Sequence, residues 1–318
     1  MRRVIPLFMP ALVLAGCASG PSLQTAGLPR EAAPFGALPR GGALYLQADA
    51  AAALPLLLML PLPGLADALS GDPSVKKLLD RTESAAAVFF DPPEAPPPAA
   101  ADAPAPPPPY LAAALGAYPR SLLNTAFALS PSWKKQPSPA GGAYWRSGAL
   151  SAAAGASLFL LSSGDPLAYF AQAGAASAAA LVPEGFAAFQ KGAALAGWIE
   201  TPDQRANAFL SDLGIPITLP AQALVFAVFA TAPPGHWEAA LRITMAQEAQ
   251  ARAIAGMLSL AGPLLARADP ASPLGAAAPL FAGVSTVEGK VILVRSAPFD
   301  APALARLFGL FAKQAPRD

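Results

Sequence analysis

The sequence predicts an α+β fold of antiparallel or mixed sheets packed with helices. Three observations predict it. The run "WEAALRITM" alternates, with Trp237, Ala239, Leu241, Ile243 and Met245 on one face and Glu238, Arg242 and Thr244 on the other. That is the pattern of an antiparallel strand with one solvated face. The run "ALVFAVFA", 223–230, is apolar on both faces, as a central strand requires. Between such runs stand alanine-rich helical patterns that begin after Asp49, Asp165 and Asp300, where a carboxylate can cap free amides and complement the helix dipole.

Taken in order, "ALYLQAD" opens the folded part with a strand over 43–48. Further strands are expected over 84–90, 110–117, 142–149 and 156–163, with helices over 50–60, 64–80, 119–130 and 165–179. Past residue 190 the order recurs. Strands fall over 193–200, 222–231, 236–245, 279–287 and 290–296, and helices over 202–213, 246–267 and 300–313. Both stretches read as one βα unit followed by two ββα units. The expectation is two related halves, 43–180 and 193–313, either separate or joined in one continuous domain. Glu288-Gly289 between two apolar runs marks a short hairpin.

The segment "DPPEAPPPAAADAPAPPPP", Asp91 to Pro109, is proline, alanine and acid. Proline cannot join a central ladder, so this is an extended loop inserted between two strands. The equivalent connection in the second half is the short "TAPPGH", 231–236.

Composition narrows the function classes. The formal net charge is +1, so no global field recruits nucleic acid, and aromatic residues are too sparse for a base-stacking face. No cofactor pattern is present: neither a Walker-type nor a dinucleotide glycine motif occurs in strand-turn-helix context. A metal site lacks its usual ligands, because the chain holds one cysteine, Cys17, and one histidine, His236. His236 follows Pro233-Pro234-Gly235 and reads as a solvated turn residue. Two Ser-x-x-Lys spacings exist, Ser74 with Lys77 and Ser132 with Lys135. On a helix, such spacing lets the amine act as base for the hydroxyl. The companion elements of that chemistry are absent, and exposed lysines at helix ends are ordinary. No catalytic residues are assigned.

The N-terminus is the most specific part of the chain. Arg2-Arg3 form a basic stretch, Val4 to Leu14 an apolar one, and Ala15-Gly16 supply small residues before Cys17. This is the pattern of a secretory signal peptide over 1–16. Leu14-Ala15-Gly16-Cys17 resembles the lipobox of bacterial lipoproteins. The resemblance covers only this end of the chain. It implies cleavage between Gly16 and Cys17, a diacylglycerol on the Cys17 thiol and an acylated amine. It also accounts for an unpaired thiol exported to an oxidising compartment. Ala18, rather than aspartate, next to the cysteine implies the outer membrane by the family's sorting rule. Residues 17–42, with Gly, Pro and Ser and little periodicity, read as a flexible lipidated tether. The functional expectation is a lipid-anchored envelope protein with a non-catalytic binding or structural role. Its partners would be the membrane, through the acyl chains, and a protein or hydrophobic ligand. Two rivals stand beside it. One is a carrier of lipid, using apolar helices such as 246–267 with Ile254, Met257, Leu258, Leu260, Leu264 and Leu265. The other is a serine hydrolase built on a Ser-x-x-Lys pair.

Overall fold

The computed structural model describes residues 33–57, 80–91, 109–212, 218–232, 234–265, 267 and 282–300, with 275, 278, 279 and 303. The fold is α+β, and the strands among the described residues form one 13-stranded sheet, antiparallel at every pairing.

The sheet is organised about a central pair. Strand β1 (Leu44–Asp49) lies antiparallel to β8 (Leu195–Ile199), with Tyr45 opposite Trp198. Outward from β1 come β2 (Thr82–Phe89), β3 (Tyr110–Gly116), β7 (Leu158–Ser162) and β6 (Leu150–Ala154). Outward from β8 come β9 (Ala221–Thr231), β10 (His236–Met245), β12 (Val291–Arg295) and β11 (Val284–Glu288). The two arms therefore repeat one strand order. Among the described strands the first arm alone continues, through β5 (Ala143–Ser147) to β4 (Lys134–Pro137) at its edge. A two-residue strand, β13 (Phe299–Asp300), pairs with the start of β10.

Helices flank the strands, those among the described residues being α1 (Ala33–Gly36), α2 (Ala50–Leu57), α3 (Arg120–Leu129), α4 (Pro166–Ala175), α5 (Phe186–Phe189), α6 (Pro202–Asp212) and α7 (Glu248–Leu265). The expected aspartate caps are present. Asp49 Oδ1 accepts from the Ala52 amide at 2.9 Å, and Asp165 Oδ1 from Leu167 and Ala168 at 2.9 and 3.2 Å. Asp300 Oδ1 accepts from Ala303 at 3.0 Å. Each satisfies a donor that the first turn leaves without an intrahelical partner.

Side chains alternate across the sheet, so the register defines two faces. On the front face of the first arm and the central strands, Tyr45, Val88, Leu111, Leu158, Leu160, Trp198 and Val225 pack under Phe35 and Leu38 of the α1 segment, Leu167 of α4 and Phe186 of α5. On the back face of the second arm, Leu224, Ile243, Met245, Ile292 and Val294 pack under Ala206 and Leu210 of α6 and Ala251, Ile254 and Ala255 of α7. A smaller back-face cluster puts α3 against β6 and β7 through Leu123, Phe127, Ala152 and Phe159. Asn124 Oδ1 fixes that helix by accepting from Trp145 Nε1 at 2.9 Å.

Several expectations change. The tether expected to reach residue 42 gives way to folded structure by residue 33. Ala33–Gly36 are helical, and Phe35 and Leu38 are fully buried. Burying a side chain of that size stabilises by about 1.5–3 kcal/mol, which offsets the ordering of a short segment with no periodicity of its own. The strand expected over 142–149 ends at Ser147, because Gly148, at φ +58°, turns the chain back into β6. Thus β6, made of Leu, Ser and Ala, lies between β5 and β7, and β4 adds a further strand outside β5. The helix expected over 165–179 stops at Ala175, and Ser177 then caps a separate 3₁₀ turn, Ala178–Leu181. The helix expected over 64–80 falls almost wholly outside the described residues. The same holds for most of the loop over 91–109 and most of the helix over 300–313.

Candidate functional site

The site begins with an aromatic stack in the central strand pair. Trp198 of β8 lies flat on Tyr45 of β1, with ring centroids 4.8 Å apart and planes at 13°. Phe35 and Phe186 meet its other sides edge-on, at 4.6 and 5.2 Å. The Tyr45 hydroxyl donates to the Pro39 carbonyl at 3.1 Å and accepts from the Gly42 amide at 3.0 Å. Burial raises its pKa above the ordinary phenol value. The stack therefore pins residues 35–42 to the middle of the sheet.

From this base β8 runs out through Glu200 and turns at Thr201 into α6. Trp198 Nε1 donates to Glu200 Oε1 at 3.0 Å, which is the contact two residues on one strand face can make. The Glu200 amide donates to Ala43 O at 3.0 Å, and its carbonyl accepts from Arg205 Nε at 3.0 Å. Thr201 has φ +47°, the left-handed region that a non-glycine residue enters rarely. Among the described residues it is the one non-glycine residue with positive φ. Arg205 also grips Asp91 with both ends of its guanidinium, at 2.8 and 2.7 Å. That hydrogen bond holds the Asp91 carboxyl below the usual range and pushes Arg205 up. Asp91 begins the proline-rich segment, whose base is closed by Phe90 N donating to Pro109 O at 2.9 Å.

Beside these residues is an open groove of about 570 Å³. Leu181 and Pro183 form one wall, the turn Glu200–Asp203 another, and Ala221–Leu224 the third, with Trp198 at its base. The groove offers carboxylates at Glu200 and Asp203, an amide at Gln222 and apolar contact at Pro183 and Ile199. It can accept hydrogen bonds from a ligand laid against an apolar wall. Arg205, at the start of α6 beside it, is committed to Asp91.

The residues singled out in the sequence lie elsewhere. Gly16, Cys17, Ser74 and Lys77 are outside the described residues. Ser132 is exposed in the turn between α3 and β4, and its hydroxyl hydrogen-bonds to that of Ser130 at 3.0 Å. Lys135 is exposed on β4, opposite Trp145. This pair is not presented on one helix face. His236 was expected as a solvated turn residue. It is half-buried at the start of β10, opposite Thr231 on one side and Asp300 on the other. Among the described residues no three of His, Cys, Asp and Glu gather as a metal site. Little in the sequence marks the groove residues. Their signal was slight: Trp198 and Glu200 two apart in an apolar strand, followed by Thr-Pro-Asp at a helix start.

The arrangement of arms and helices has a counterpart among solved structures. The fold resembles that of TP0453. Crystal form I of TP0453 superposes with a TM-score of 0.52 at 15% identity, covering 91% of this chain and 99% of TP0453. Crystal form IV gives 0.51 at 16%, covering 88% and 96%, and crystal form III gives 0.50 at 16%, covering 88% and 98%. The likeness to TP0453 extends over both arms and is a likeness of fold. No protein-family model and no curated protein sequence matches the chain.

Proposed function

We propose that this protein is a bacterial lipoprotein, anchored in the outer membrane through Cys17, whose folded body binds a partner rather than catalysing a reaction. The observation that carries the proposal is Leu14-Ala15-Gly16-Cys17 at the end of an apolar stretch, with the only cysteine of the chain. Two or three acyl chains, at about 0.8 kcal/mol per buried methylene, anchor firmly where one would be marginal. Fifteen residues, 18–32, separate Cys17 from the first described residue, Ala33. At full extension they reach at most about 55 Å, which keeps the body close to the membrane that holds it. The groove beside Glu200 is the binding surface on this reading, with Gln222 and the carboxylates as acceptors. A carrier of lipid would need an enclosed apolar cavity, whereas this groove is open and half polar.

Metabolic labelling with a fatty-acid analogue tests the anchor. Wild type should incorporate label and Cys17→Ser should not, and the variant should keep its signal segment. Equal labelling of the two would overturn the anchor.

A further inference from the structure

The two edges of the sheet are built differently. At the first-arm edge, β4 reads Lys-Lys-Gln-Pro. Lysines and a proline on an edge strand are the usual means of refusing another strand. At the second-arm edge, β11 reads Val-Ser-Thr-Val-Glu. It contains neither lysine nor proline, and its register with β12 is unbroken over all five residues. Val284 is 69% exposed, and Thr286 and Glu288 are exposed beside it on the same face. Among the described residues nothing pairs with its outer side. A strand of β-branched residues with a free row of amides and carbonyls is a template for another extended chain.

We propose that the outer edge of β11 is a self-association site, at which a second copy of this chain adds its own β11 antiparallel about a two-fold axis through Thr286. The strand is self-complementary in that register. Thr286 meets its own equivalent, a favourable cross-strand pair, and Ser285 meets Val287 of the second copy. Glu288 meets Val284 of the second copy, so no like charges face each other. Val284 is itself opposite Arg295 of β12. That arginine is 70% exposed and held by a single 3.3 Å contact to Glu238. Glu288 of one copy therefore lies across a small valine from a loosely held guanidinium of the other. A register one residue off would set Thr286 of one copy against Val287 of the other, opposing a solvent-face side chain to one that packs toward α7. The contact is isologous and closes on itself, giving a dimer with one continuous sheet. It repeats between chains the antiparallel joining that β1 and β8 make within one chain.

Thr286→Cys in the full-length protein tests this, because the side chain is exposed and lies on the axis. Membranes from producing cells are mildly oxidised and run without reductant, beside wild type and Thr125→Cys on exposed α3. A disulfide-linked species at twice the chain mass is expected for Thr286→Cys and for neither control. Val284→Cys and Glu288→Cys should cross-link when produced together and not when produced alone. Thr286→Lys and Thr286→Glu should each lose native dimer on their own and regain it when mixed. The proposal is overturned if Thr286→Cys cross-links no more than Thr125→Cys. It is equally overturned if Val284→Cys links to itself as readily, or if Thr286→Cys captures a different chain.

Discussion

The two arms of the sheet share a strand order but place their cores on opposite faces. The first arm and the central pair are covered in front by α1, the 3₁₀ turn, α4 and α5, around Phe35, Trp198 and Phe186. The outer second arm is covered behind by α6 and α7, around Ile243, Met245 and Ile292. Its front carries Glu238, Arg242, Thr244 and Arg295, with no described helix over β10, β11 and β12. What differs is where the chain goes after the last hairpin. After β7 it returns over the front as α4, whereas after β12 it crosses to the back, where Phe299 packs with Leu195 and Trp237. A shared topology thus leaves the outer second arm, among the described residues, with a front that no helix covers and that residues 184–185 touch only at Arg242.

If the front core depends on a segment from outside the sheet, Phe35→Ala should be the most damaging of the following changes. It empties the space against Trp198 and Phe186, and a loss of about 3–5 kcal/mol is expected in denaturant unfolding. A loss below about 1 kcal/mol would show that the α1 segment is a loosely attached strap. Ile243→Ala should cost about 2–5 kcal/mol through the back core. Because the two clusters have no residue in common, the double variant should be additive within about 0.5 kcal/mol. A larger coupling would mean that the arms communicate through the central strands.

The smallest effect is expected at the clasp between the arms. Asp91 of the first arm is 63% exposed, so Asp91→Ala should cost less than about 1 kcal/mol despite the bidentate geometry. The sign of its pH dependence is definite. Arg205 lowers the folded-state pKa of this carboxyl, so its contribution is present above the ordinary aspartate value near 3.9 and fades as pH falls below it. Acid unfolding of wild type should therefore show a decline below about pH 4 that Asp91→Ala lacks in part. Identical acid profiles would place the clasp among surface pairs of no thermodynamic consequence.

Strands with a strong period are legible in the sequence. Trp237, Ile243 and Met245 face the back as the alternation predicts, and Leu224, Val225, Ala227 and Val228 are buried on both faces of their strand. The three aspartates that begin helices do so because capping is local chemistry within four residues. The segment 33–42 was illegible for the opposite reason. Nothing near Phe35 in sequence indicates burial, since its neighbours there are Trp198 and Phe186, some 150 residues away. The Glu200–Arg205–Asp91 chain was hidden in the same way: Arg205 and Asp91 are separated by 114 positions. No periodicity reports a pair like that.

By itself, then, the sequence determined the α+β class, the recurring order of elements, the helix caps and a lipobox-like N-terminus. All of these rest on interactions between near neighbours in the chain or on a short contiguous motif. Only the tertiary structure decided that both halves share one sheet, joined where Tyr45 stacks on Trp198. It alone decided which face each arm buries, and that β4 and β11 are the two edges among the described strands. Alternation tells a strand that it has two faces but not what will cover either. Cover comes from segments distant in sequence, whose docking depends on the sum of many weak apolar contacts formed at once.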